Sequence, residues 1–70
     1  MRYQNEFLKE LGAKVKTLRM SKGIKVRELG EMCQTDYANL SRFENGQVNI
    51  RIMTLKTIAD KLGVELTYFL

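Results

Sequence analysis

The fold is decided by residues 29–46, which read LGEMCQTDYANLSRFENG. The apolar spacing predicts a short helix from about Val26 to Cys33 and a second one over Tyr37–Glu44. Asp36 stands just before the second helix, where its carboxylate can accept hydrogen bonds from the exposed amides of the first turn. The segment therefore predicts two short helices joined by a tight turn.

The second of these helices offers few residues to a core. Only Leu40 and Phe43, with part of Ala38, are expected to face inward, so the rest of its surface is polar and free. Two short helices and a tight turn, with a long helix before them, are typical of helix-turn-helix DNA-binding domains.

On either side of this segment, the apolar spacing predicts three further helices: about Asn5 to Lys22, Ile52 to Leu62, and an apolar Val64 to Leu70. Expected inward positions are Leu8, Leu11, Val15 and Leu18 in the first helix, Val26, Leu29, Met32 and Cys33 in the second, and Ile52, Leu55, Ile58, Ala59 and Leu62 in the fourth. Gly23, Gly46 and Gly63 separate the periodic segments. We expect a compact, all-α, five-helix domain spanning residues 1–70.

The composition limits the possible partners. The 70 residues include 12 Lys and Arg against 8 Asp and Glu, which gives a net charge of +4. A basic balance favours an acidic polymer such as nucleic acid. No apolar run approaches the ~20 residues that cross a bilayer, and the polar start fits neither a signal peptide nor a transit peptide. We therefore expect a cytoplasmic protein with no membrane contact.

The residue types also argue against catalysis and metal binding. Histidine is absent, and the single cysteine, Cys33, can form neither an internal disulfide nor a zinc site. Its expected role is that of a buried apolar thiol. The chain has no phosphate-cradling glycine loop and no recognisable catalytic carboxylate pair. We expect no enzyme activity, no cofactor and no metal.

Residues 29–46 resemble the XRE family of phage-repressor-type regulators, to which the lambda repressor and Cro belong. The resemblance extends to residues 11–12 and 18–19 before the segment and to residues 58–64 after it. Its most specific part is LSRFENG at residues 40–46, placed a fixed distance after Leu29-Gly30. It implies a lambda-repressor-like fold with the helix-turn-helix at helices 2 and 3. It also implies a sequence-specific regulator that binds a symmetric operator in the major groove of double-stranded DNA as a homodimer.

The resemblance assigns roles to individual positions. The residues that it places at base edges are Tyr37, Ala38, Ser41 and Arg42. Arg42 suits guanine, because its planar fork can donate two hydrogen bonds to O6 and N7. The residues placed against the sugar-phosphate backbone are Lys25, Arg27, Asn39, Asn45, Gln47, Asn49 and Arg51. For Asn49 and Arg51, an ordinary solvated surface position is an equal alternative.

Other positions are expected to serve structure and assembly. By resemblance, Arg19 near the end of helix 1 pairs with Glu44, which closes helix 3. The apolar residues Tyr68, Phe69 and Leu70 are expected to contribute to the dimer contact. Alternatively, Leu66 and Phe69 close the core of the monomer and leave Tyr68 and Leu70 for a partner.

Three departures from the family pattern affect the helix-turn-helix itself. Lys25 and Val26 replace the usual Ser or Thr followed by Gln, so phosphate binding passes to Lys25 or to backbone amides. Gly30 replaces the usual Ala; it either allows helices 2 and 3 to approach closely or simply weakens helix 2. Gln34 takes a turn position often filled by glycine, which predicts a positive backbone dihedral with some strain.

The same sequence features fit one other class of protein. A helix-turn-helix chain can be a protein-interaction module, for example an antitoxin that holds a toxin. Such chains usually carry an added partner-binding tail, and here only seven residues follow Gly63. A stand-alone regulator is favoured, with the closest match in size among restriction-modification controller proteins and small phage or mobile-element repressors.

Overall fold

The computed structural model describes residues 2–70, with side chains from residue 6 onward. The elements in chain order are α1 (Arg2–Ser21), α2 (Val26–Cys33), α3 (Tyr37–Glu44), α4 (Ile52–Leu62) and a 3₁₀ helix (Leu66–Tyr68). No strand occurs over these residues, so the all-α prediction is confirmed. The described chain has four α-helices rather than the five predicted.

The predicted bounds of α2, α3 and α4 are confirmed, whereas both chain ends differ from the prediction. α1 begins at Arg2 rather than Asn5 and ends at Ser21 rather than Lys22. The predicted last helix over 64–70 is replaced by a 3₁₀ helix with three successive i to i+3 backbone hydrogen bonds of 2.9–3.1 Å. This tighter winding is common in short terminal segments.

Every α-helix and the C-terminal segment contribute to one core. Its buried apolar residues are Leu11, Val15, Leu29, Leu40, Phe43, Leu55, Ile58, Ala59, Leu62 and Phe69. Two residues predicted to face inward are exposed: Met32 at 38% and Ile52 at 56%. Ile52 is the first residue of α4 and Met32 lies in the last turn of α2, so both sit at the edge of the helix-packing surface. Cys33 is half-buried.

A buried ion pair joins α1 to α3. Arg19 Nε donates to Glu44 Oε2 at 2.7 Å, and Arg19 Nη2 donates to Glu44 Oε1 at 3.0 Å. The remaining side of the guanidinium is also used, because Nη1 donates to the carbonyl oxygen of Ile24 at 2.7 Å. Arg19 and Glu44 are only 8% and 5% exposed. This two-pronged geometry fixes the C-terminal end of α3 against α1.

Gly12 permits a close crossing of the same two helices. A β-carbon on Gly12 would collide with the carbonyl oxygen of Phe43 and lie 2.9 Å from that of Glu44. A glycine inside a helix costs roughly 1 kcal/mol relative to alanine, so the sequence alone presents this position as a weak point. The structure shows that the missing side chain lets α1 lie against the backbone of α3.

The turn between α2 and α3 contains the one non-glycine residue with positive φ in the described chain, Gln34 at φ 55° and ψ 46°. The backbone N–H of Thr35 donates to Gly30 O at 2.9 Å, and that of Gln34 donates to Glu31 O at 3.2 Å. These two hydrogen bonds satisfy carbonyl groups of the last turn of α2, and the left-handed conformation of Gln34 makes them possible. The predicted positive dihedral is confirmed.

Replacing Glu44 by alanine should lower the free energy of unfolding by about 3–5 kcal/mol, because Arg19 is left buried without its counter-charge. Urea unfolding at neutral pH measures the change. The matched control is Asp60→Ala, which removes the exposed Lys56–Asp60 pair in α4 and should cost no more than about 0.5 kcal/mol. Similar losses in both variants would show that the Arg19–Glu44 pair does not hold the helices together.

Replacing Gln34 by glycine should stabilise the protein. A left-handed conformation costs a non-glycine residue about 1–2 kcal/mol, and the extra freedom of glycine in the unfolded chain cancels about 0.4–1 kcal/mol of the gain. The expected net increase is up to about 1.6 kcal/mol, seen as a higher melting temperature. Gln47→Gly is the control, since Gln47 is an exposed loop residue whose own φ is not positive; a rise in both variants, or in neither, would contradict the strain at Gln34.

Candidate nucleic-acid interface

α3 presents a polar outer face while its inner face packs on the core. Tyr37, Asn39 and Arg42 are exposed, whereas Ala38 and Ser41 are half-buried. Asp36 caps the start of the helix, because its Oδ1 accepts a hydrogen bond from the backbone N–H of Ala38 at 3.1 Å; the predicted cap is confirmed. The structure thus keeps the five side chains on a short helix whose two ends are fixed by other contacts.

The residues expected at the DNA backbone are all exposed: Lys25, Arg27, Asn39, Asn45, Gln47, Asn49 and Arg51. In the part of the chain with described side chains, the cations Lys25, Arg27, Arg42 and Arg51 lie within 4 Å of no carboxylate. An exposed cation without a carboxylate partner can bind a phosphate without first breaking an ion pair. These four charges around α3 therefore suit a polyanion.

Three of the expected backbone-binding residues meet at one cleft of about 370 Å³ between α3 and the start of α4. The lining residues are Thr35, Asn39, Leu40, Phe43, Asn49, Ile50, Arg51 and Thr54. Asn49 Oδ1 is already engaged, since it accepts from the backbone N–H of Ile50 at 2.8 Å. The sequence did not predict that Thr35 and Thr54 line this cleft. Thr35 lies in the turn before α3 and Thr54 lies in α4, so no spacing or motif connects the two residues.

At the other end of α3, the structure brings Arg27 and Tyr37 together. Arg27 Nη2 donates to Tyr37 Oη at 3.2 Å, and the guanidinium carbon lies 4.8 Å from the centroid of the tyrosine ring. The sequence predicts separate roles for the two residues, with Arg27 at a phosphate and Tyr37 at a base edge. Their contact joins α2 to the first residue of α3.

Lys25 precedes α2 and keeps its ammonium group in solvent. Its backbone N–H donates to Glu28 Oε1 at 2.8 Å, so the carboxylate of Glu28 caps the helix start. The capping contact holds the Lys25 backbone in place while its side chain projects from the surface.

The C-terminal residues divide between the core and the surface. Phe69 is 1% exposed and packs with the core, which corrects the expectation that its side chain is available for a dimer contact. Tyr68 and Leu70 are 54% and 60% exposed. The rings of Tyr68 and Phe69 meet edge to face with centroids 5.5 Å apart. Phe69 thereby anchors the segment and leaves Tyr68 and Leu70 on the outside.

Cys33 is the remaining nucleophile to consider. Burial raises the pKa of the Cys33 thiol, and the nearby charge of Lys61 partly opposes this effect. A raised pKa keeps the thiol protonated and weakly reactive at neutral pH. Among the described residues, no group of three or more Cys, Asp or Glu is placed to hold a metal ion. None of the described helices has the length and apolar character needed to cross a membrane.

The sequence matches a known protein family. A family model described as Helix-turn-helix (HTH_3) matches residues 15–69, which include α2, α3 and α4 in full. The chain belongs to this family. HTH_3 is the XRE-type family of DNA-binding transcription regulators, so the resemblance stated from the sequence is confirmed.

Solved structures of other proteins share the fold of this HTH_3 chain. The clp gene regulator ClgR from Corynebacterium glutamicum is 27% identical with a TM-score of 0.86, over 90% of this chain and 67% of ClgR. An HTH_3 family transcriptional regulator from Vibrio cholerae is 26% identical with a TM-score of 0.86, over 94% of this chain but 37% of that protein.

The restriction-modification controller protein C.AhdI from Aeromonas hydrophila has a TM-score of 0.87 at 24% identity, over 90% of this chain and 96% of C.AhdI. At this identity the likeness shows the fold alone. No curated protein matches the chain.

Proposed function

We propose that this protein is a sequence-specific transcription regulator that binds a symmetric operator as a homodimer, with α3 in the major groove. The observation that carries the proposal is the exposed face of α3, which presents Tyr37 and Arg42 while Leu40 and Phe43 hold its other face in the core. Membership of the HTH_3 family supports the same assignment. A DNA-bound role agrees with the expected cytoplasmic location.

Arg42 is the principal base reader in this proposal. Its guanidinium is exposed in the last turn of α3 and has no carboxylate partner among the described side chains. It can therefore present two parallel donors to O6 and N7 of a guanine, the commonest specific contact in the major groove. Ala38 and Ser41 lie half-buried beside it, where a methyl and a hydroxyl group can meet the neighbouring base edges.

The surrounding polar residues position the helix on the duplex. Lys25 and Arg27 flank α3 on the side of α2, and Asn39, Asn49 and Arg51 line the cleft on the side of α4. Contacts from both sides to the sugar-phosphate backbone would fix the depth and register of α3 in the groove. Asn45 and Gln47 extend the same set beyond the end of α3.

Two subunits are needed because the described chain contains one helix-turn-helix and so one α3. Successive major grooves on one face of DNA are about 34 Å apart. One molecule therefore covers one half-site, and a two-fold dimer matches a two-fold symmetric operator. Tyr68 and Leu70 provide exposed apolar surface for such a contact.

Selection of bound sequences from a random DNA pool tests the proposal directly. The expected product is a pair of inverted half-sites whose centres are separated by about one helical turn. Affinity for the selected site should fall steeply with salt, since each Lys or Arg at a phosphate releases counterions. Recovery of no common sequence, together with salt-independent binding, would exclude a DNA-reading function.

Replacing Arg42 by alanine should separate reading from positioning. We expect a loss of about 1–3 kcal/mol on the selected operator and relaxed preference at one base pair per half-site, with a much smaller effect on random DNA. Lys25→Ala should instead weaken operator and random DNA by similar factors and reduce the salt slope by about one unit. Fluorescence anisotropy titrations at several salt concentrations measure both.

Both substituted positions are exposed, so each variant should keep the wild-type melting temperature. If a folded Arg42→Ala variant loses equal binding free energy on operator and on random DNA, Arg42 belongs with the residues that contact the DNA backbone. Tyr37, Ala38 and Ser41 would then be the remaining base readers.

Sedimentation should detect a dimer at micromolar concentration or two subunits on each operator. Replacing Tyr68 and Leu70 together by glutamate should shift the protein to monomer and weaken operator binding, because two charges would be buried without partners. The control Met20→Glu changes an apolar residue on α1 that is 60% exposed and should leave assembly unchanged. A wild-type protein that stays monomeric and binds DNA as one subunit would refute the dimer.

A further inference from the structure

Tyr37 is held at both ends of its side chain by α2. At the hydroxyl end, Arg27 Nη2 donates to Tyr37 Oη at 3.2 Å, and the guanidinium lies over the ring at 4.8 Å from its centroid. At the backbone end, the Cα and Cβ of Tyr37 lie against Gly30. A β-carbon added to Gly30 would stand 2.9 Å from Tyr37 Cβ and 3.1 Å from Tyr37 Cα.

Arg27 and Gly30 are three residues apart in α2, so they share one face of that helix. Gly30 allows the start of α3 to approach that face, and Arg27 then reaches the ring and the hydroxyl. Gly30 had two interpretations, a close approach of α2 and α3 or a simple weakness in α2. The contact with Tyr37 supports the first, because the missing side chain lets the two helices pack closely. Tyr37 remains 42% exposed, so its ring is fixed at the surface rather than buried.

The direction of the Arg27–Tyr37 hydrogen bond limits what the phenol can do next. A guanidinium only donates, so the tyrosine oxygen is the acceptor in this bond. The phenolic O–H stays available and can donate outward. A hydroxyl held in this way is suited to an acceptor on the DNA and poorly suited to a donor.

We infer that Arg27 is a positioning residue for base reading: it commits the Tyr37 hydroxyl to donate to an acceptor on a base edge in the major groove. The inference rests on the proposed function and deepens it by naming the base chemistry. The acceptors available there are N7 and O6 of guanine, N7 of adenine and O4 of thymine. Cytosine presents an amino donor at this edge and is therefore disfavoured opposite Tyr37.

Binding-site selection with three variants tests the inference. Tyr37→Phe keeps the ring and removes the donor; Arg27→Lys keeps the charge and removes the planar fork; Gly30→Ala adds the methyl group that Tyr37 now excludes. Each variant should flatten the preference against cytosine at the same base pair of each half-site, with a two- to tenfold loss on the selected operator. The double variant Arg27→Lys/Tyr37→Phe should lose little more operator affinity than either single variant.

A second measurement needs no DNA. In a double-mutant cycle of unfolding on the free protein, Arg27→Ala and Tyr37→Ala should be coupled by about two- to fivefold in the unfolding equilibrium constant, as expected for an exposed cation–π contact. Lys56→Arg, an exposed Lys-to-Arg exchange on α4 outside the interface, is the control for charge-conserving substitutions and should change neither operator affinity nor base preference.

The outcomes separate this inference from the proposed function. If wild type selects an operator and Arg42→Ala relaxes its own base pair, the proposed function stands. The inference is overturned if Arg27→Lys then weakens operator and random DNA equally and leaves the base preference intact. Additive unfolding effects of Arg27→Ala and Tyr37→Ala would also overturn it, since they would show that the two side chains do not act together. A wild type without any preferred sequence would instead refute the proposed function itself.

Discussion

The buried ion pair between Arg19 and Glu44 is the interaction on which the position of α3 depends. Two charges withdrawn from water are stable only if their hydrogen-bonding groups find partners. Here both carboxylate oxygens of Glu44 accept hydrogen bonds from Arg19, and the third guanidinium nitrogen, Nη1, donates to the carbonyl oxygen of Ile24. Glu44 is the last residue of α3 and Arg19 lies near the end of α1. The pair therefore sets how α3 lies on the long first helix, and so which of its faces meets solvent.

Around this pair, the same residues that build the fold also shape the outer surface. α3 rests on a glycine at each end: Gly12 of α1 lies against its last carbonyls, and Gly30 of α2 lies against its first residue. Three acidic side chains near α3 are engaged in structural contacts, since Glu44 pairs with Arg19, Asp36 caps α3 and Glu28 caps α2. Negative charge is thereby held in structural contacts, and the neighbouring cations are left facing outward.

Several features of this protein could be predicted from the sequence because their causes are local. The bounds of α2, α3 and α4 follow from apolar residues at helical spacing. The cap at Asp36 and the left-handed Gln34 follow from the chemistry of the turn. The choice of exposed α3 residues follows from the same pattern, because a short helix with two core residues, Leu40 and Phe43, leaves its other positions free. Recognition of the family rested on the same segment.

The family resemblance implied the Arg19–Glu44 pair between α1 and α3, whereas the other contacts between elements, and therefore what their side chains do, are seen only in the tertiary structure. It placed Phe69 in the core and left Ile52 exposed, although both are apolar residues at the ends of periodic segments. It shows that Gly12, an unfavourable residue inside a helix, allows α1 to lie against the backbone of α3. It also shows that Arg27 contacts Tyr37 across the turn. Periodicity reports which face of a helix is apolar but not which neighbour covers that face. Contacts between residues distant in sequence are set by the packing of whole helices, which no local pattern encodes.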